Sequence, residues 1–70
     1  MNERIWRVRK NHTWIDAQLH AGRESGAPEL RFFYDGVLMA ARQWPSREDA
    51  LAHAAGRLQE LQRAGWNTHW

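Results

Sequence analysis

Seventy residues form one domain around one small core, and the net charge of +2 is uneven, residues 1–10 carrying +3 through Arg4, Arg7, Arg9 and Lys10 against Glu3 and the remaining sixty carrying −1. The absence of cysteine excludes disulfides, thiolate metal sites and cysteine nucleophiles. No apolar run approaches the roughly 20 residues of a membrane-spanning helix, and Met1-Asn2-Glu3-Arg4 does not open a leader, so the expectation is a cytoplasmic protein without membrane contact.

In chain order, the first element is an alternating segment over about 4–10. Trp6 and Val8 point one way, Ile5, Arg7 and Arg9 the other. A tight turn at Lys10-Asn11 or Asn11-His12 leads to a second strand over about 12–20. There Thr13, Ile15, Ala17 and Leu19 alternate with His12, Trp14, Asp16 and Gln18. Either turn sets Thr13 and Ile15 on the face of Trp6 and Val8. Residues 21–28, with two glycines, a serine and a proline, read as a loop and the most mobile part of the chain.

Asp35-Gly36 lies between the apolar runs 29–34 and 37–44. It is a strong two-residue hairpin signal, because both turn positions need positive φ. Simple alternation from Tyr34 and Val37 pairs Phe32 with Met39 and Leu30 with Ala41. It sends Arg31, Phe33, Leu38, Ala40 and Arg42 to the second face. Ser46 then caps a helix over about 47–64, with Glu48 and Asp49 in its first turn and a stripe of Leu51, Ala54, Leu58 and Leu61. Gly65 suits the left-handed terminator, with Trp66 folded over Leu61. Gly56 interrupts the helix and suggests a close approach to the sheet. The expected fold is α+β: a four-stranded antiparallel meander packed on one face by a C-terminal α-helix, ββββα.

The second sheet face carries the functional lead. Arg7, Arg9, Arg31 and Arg42 interleave with Trp14, Phe33 and Trp44, and with Ile5 and Leu38, where a solvated face is normally polar. Nine of the ten basic residues are arginine, suited to planar and stacking contacts. One reading is nucleic-acid binding, arginine neutralising phosphate and the aromatics stacking on bases. A second is homodimerisation through the same face. A third is that alternation fails in one hairpin, or that the tail from Trp66 to Trp70 covers the patch. His12, His20, His53 and His69 form no metal motif, and no phosphate loop, nucleophile elbow or carboxylate pair is present. A non-enzymatic binding module without cofactor or metal is therefore expected, its partner a nucleic acid or a second copy of the chain.

Tyr34-Asp35-Gly36 with the run from Arg42 through Trp44, Pro45 and Ser46 to Ala50 resembles the end of the arm-binding N-terminal domain of phage-type tyrosine recombinases. The likeness covers about twenty residues, and this chain has an additional strand and no catalytic domain behind it. It implies a DNA-contacting sheet with Arg7, Arg9, Arg31 and Arg42 as candidates, by fold-level analogy. The whole chain also resembles small stand-alone bacterial proteins with a Trp-rich start and a Leu-Gln-Arg-Ala-Gly-Trp end. That likeness implies no function.

Overall fold

The first hairpin turns at Asn11-His12, with Asn11 in the left-handed region at φ 59°. It joins β1 (Asn2–Lys10) to β2 (Thr13–Ala21) with Lys10 opposite Thr13 and Val8 opposite Ile15. The computed structural model describes residues 2–22 and 26–68. β3 (Pro28–Tyr34) and β4 (Val37–Gln43) meet across Asp35-Gly36, both at positive φ as a tight hairpin requires. Asp35 also reaches sideways. Its carboxylate accepts from the Trp14 backbone N–H at 2.9 Å, and its own N–H donates to Trp14 O at 3.0 Å, fastening the turn to β2.

The helix α1 (Arg47–Arg63) starts at Ser46, whose hydroxyl accepts from the Asp49 N–H at 3.1 Å. It ends in the paired bonds of a Schellman motif, Trp66 N–H to Leu61 O and Gly65 N–H to Gln62 O, with Gly65 at φ 98°. Lys10 adds a cation at that end, Nζ donating to Ala64 O at 2.7 Å. The chain then forms β5 (Asn67–Thr68), which pairs with β1 at Val8 and Arg9. The sheet is antiparallel in the order β4-β3-β2-β1-β5, and the fold is α+β with its helix after the main strands. No described helix is long and apolar enough to cross a membrane.

Trp6, Val8, Ala17, Leu19 and Leu30 from the sheet meet Ala50 and Ala54 from α1 in the buried core. Alanine at both helix positions lets the indole of Trp6 approach closely enough to donate to Ala54 O at 2.9 Å, a buried bond across 48 residues of sequence. Leu51, Leu58, Leu61 and Trp66 pack at the rim.

Four expectations need correction. Gly56 lies in open space, with nothing within 4 Å of where a Cβ would stand, so it does not mark helix–sheet contact. The close approach is instead at Gly22, between the ends of β2 and β3, where a Cβ would sit 2.2 Å from Ala27 O. Ala21 and Pro28 are not loop residues but paired strand ends. The expected mobility of 21–28 falls partly on residues 23–25, outside the described residues. The two remaining corrections are breaks in alternation, one in each hairpin, and they decide the composition of the second sheet face.

Candidate nucleic-acid interface

In β1 the register shifts between Arg4 and Trp6, so Arg4 stands opposite Gln18 while Trp6 stands opposite Ala17. Ile5 is the inserted residue of a bulge. Alternation without the bulge puts Ile5 on the second face and Arg4 on the core face. Instead Ile5 packs against the core and Arg4 joins the second face beside Gln18.

In β4 the shift falls where Phe32 pairs with Ala40 and Phe33 with Leu38, leaving Met39 as the insertion. Beyond it the parity reverses, so that Leu30 is opposite Arg42 rather than Ala41. Arg42 and Trp44, both expected on the second face, therefore lie on the helix side. Trp44 packs against the core rim and its ring meets His53 of α1 at 4.7 Å, while the Arg42 guanidinium lies over Trp44 at 4.4 Å. The physical reason is the Met39 insertion, which turns the strand end toward the helix. His53 is exposed yet shares this stack.

Five of the seven sequence-derived site residues remain together: Arg7, Arg9, Trp14, Arg31 and Phe33. Arg4 is the addition that alternation missed. A signal for it existed, since Arg4 on the Trp6 side would have buried a guanidinium beside the core. Asp16, 8 % exposed, anchors the centre of the face. Arg7 grips it with two bonds, Nε to Oδ1 at 2.6 Å and Nη2 to Oδ2 at 2.8 Å, and Arg4 Nε lies 3.9 Å from Oδ2. Hydrogen bonding to Asp16 raises the Arg7 pKa further above its ordinary value, burial opposing it and the charge of Asp16 adding to it. Arg31 pairs with Glu29.

Trp14 carries two guanidinium groups, Arg7 at 5.1 Å and Arg9 at 4.9 Å from the ring centroid. Arg9 donates to Asn11 O at 3.0 Å and has no carboxylate partner among the described residues. His20, bonded to Gln18 at 3.0 Å, has its pKa lowered by burial first and by the charge of Arg31 second, with Glu29 opposing. The face thus holds four arginines against Asp16 and Glu29, with α1 packed on the opposite side of the sheet. No group of three or more potential metal ligands occurs among the described residues.

The described part of the tail, Trp66 to Thr68, extends the edge of the sheet rather than lying across this face. The expectation for His69 and Trp70 lies outside the described residues. A scan of protein-family models, a search of curated proteins and a search of solved structures each found no match to the chain.

Proposed function

We propose that the protein is a non-enzymatic nucleic-acid-binding module that takes single-stranded RNA or DNA on the sheet face opposite the helix. The observation that carries this reading is the bulge at Ile5, which brings Arg4 to the arginine face while removing an aliphatic side chain from it. With Trp44 also turned away, and Arg42 with it, the face keeps four arginines and is less apolar than alternation alone describes. That composition favours phosphate contacts over the dry, apolar patch a homodimer needs. Arg4, Arg7 and Arg9 run along one strand, and Trp14 and Phe33 add aromatic surface of the kind that stacks on bases. The local resemblance to the recombinase arm-binding domain points to the same class of partner, and Arg42 leaves the set that the resemblance suggested.

Anisotropy of a fluorescein-labelled, mixed-sequence single-stranded oligonucleotide, titrated at several salt concentrations, tests the reading. Each phosphate neutralised contributes a slope of about −0.7 to log K against log salt, so four arginines give about −3 at most. Arg9→Ala is expected to weaken binding and flatten the slope by about 0.7. Arg42→Ala, on the helix side, is expected to change neither. No binding at low salt, or equal losses in the two variants, would refute it.

A further inference from the structure

The two hairpin turns lie at the same end of the sheet, because Asp35 bonds to the Trp14 backbone just beyond the Asn11-His12 turn. Between them, on the arginine face, is an open hollow of about 390 Å³ lined by Arg7, His12, Trp14, Asp16, Asp35 and Gly36. Its chemistry differs from that of the rest of the face. Two carboxylates line it, so it disfavours phosphate, while Arg4 and Arg9 lie outside it along β1. Hydrogen-bonding capacity is left over on both sides. Asp35 accepts the Trp14 N–H through Oδ1, and its Oδ2 has no hydrogen-bond partner among the described residues. Arg7 turns Nε and Nη2 to Asp16, and its Nη1 likewise has none among the described residues.

Resting on the reading of this face as a nucleic-acid surface, we propose that the hollow is a base subsite selecting guanine, with the phosphates of the strand following the arginines of β1. The selection comes from the order of donors and acceptors. A carboxylate offers two neighbouring acceptors, and the guanidinium beside it offers donors. Among the common bases, guanine alone sets two N–H donors, at N1 and N2, side by side with an acceptor, O6, next to them. The two donors meet the two oxygens of Asp35, Oδ1 keeping a second lone pair beyond its bond to Trp14, and O6 accepts from Arg7 Nη1. Adenine and cytosine present an amino group beside a ring-nitrogen acceptor. Thymine and uracil present one N–H between two carbonyls. Each of these sets an acceptor against the second carboxylate oxygen and leaves it unpaired. Asp16, 8 % exposed, fixes the guanidinium that receives O6 through its two bonds to Arg7. Nothing lies within 4 Å of where a Cβ on Gly36 would stand, so the turn leaves room for the base to enter.

Fluorescence anisotropy of the full chain with three labelled oligothymidylates, differing only in a central guanine, adenine or thymine, tests the subsite. The guanine strand is expected to bind at least about fivefold more tightly than the other two. Asp35→Asn keeps the turn, because Asn-Gly suits the same hairpin and the Asn carbonyl can still accept the Trp14 N–H, but it replaces an acceptor with a donor. Charge alone would make this variant bind every strand more tightly. The expected result is instead loss of the guanine advantage, with an unchanged circular dichroism spectrum. Arg9→Ala, outside the hollow, is expected to weaken all three strands by the same factor. Equal binding of the three strands by the unaltered protein, or a guanine advantage that survives Asp35→Asn, would overturn the subsite and leave the nucleic-acid reading in place. No binding of any strand at low salt would refute that reading and the subsite together.

Discussion

Trp6 and Trp44 both pack against the helix, yet replacing each with phenylalanine is expected to have different consequences. The Trp6 indole is 2 % exposed and its N–H donates to Ala54 O. Losing that bond removes about 1 kcal/mol, and the smaller ring leaves a gap under α1, together about 2–3 kcal/mol. The Trp44 Nε1 is buried with no hydrogen-bond partner among the described residues. Such a donor costs about 1–3 kcal/mol, so Trp44→Phe returns this amount and loses only part of a half-buried ring. The expected change there is between no effect and about 1 kcal/mol of stabilisation. For a domain of this size 1 kcal/mol moves Tm by about 4–8 °C. Urea and thermal unfolding followed by far-ultraviolet circular dichroism separate the two variants without relying on tryptophan emission. Equal destabilisation of both would refute the reasoning, because it would mean that ring volume decides and the state of the indole N–H does not.

Glycine-to-alanine substitution is likewise expected to split in sign. Gly56→Ala, in open space within α1, should raise stability by up to about 1 kcal/mol, whereas Gly22→Ala forces a methyl into Ala27 O and should lower it by about 1–3 kcal/mol; thermal melts of the two variants measure both. For His20, a pKa held below the ordinary value means that the fold favours the neutral ring. Its contribution is present above pH about 6.5 and is lost as pH falls through the lower folded value. His20→Gln is therefore expected to reduce the loss of Tm between neutral and mildly acidic pH, and an unchanged loss would refute this.

The elements that were legible in the sequence each had a local cause. Asp35-Gly36 announced its hairpin because few other pairs accept two positive φ values in succession. Ser46 and Gly65 announced the helix ends through bonds made within three to five residues. The strand β5 was not legible: two residues have no periodicity, and its partner in β1 is far away in sequence. Nor was the Lys10 cap on Ala64, which depends on the whole fold being assembled. On the candidate face, the residues between the two bulges in the chain were assigned to the side of the sheet they occupy, from Arg7 and Arg9 through Trp14 to Arg31 and Phe33. Those beyond a bulge were not.

That boundary has a physical basis. Period-two counting transmits parity along a strand and through a tight turn, and a single inserted residue reverses it for everything beyond. Around Met39 the residues are Leu38, Ala40 and Ala41, all apolar, so hydrophobic patterning is indifferent to the insertion and only packing decides. Packing decides for Trp44, which is large enough to reach His53 and fill the rim beside Phe32 once it is turned inward. The same reversal takes Arg42 from the company of Arg31 and sets it over Trp44. In β1 the insertion acts in the opposite sense, exchanging an aliphatic residue for an arginine on the outer face. The two bulges thus leave four arginines on the sheet face and the uncovered apolar side chains along β4.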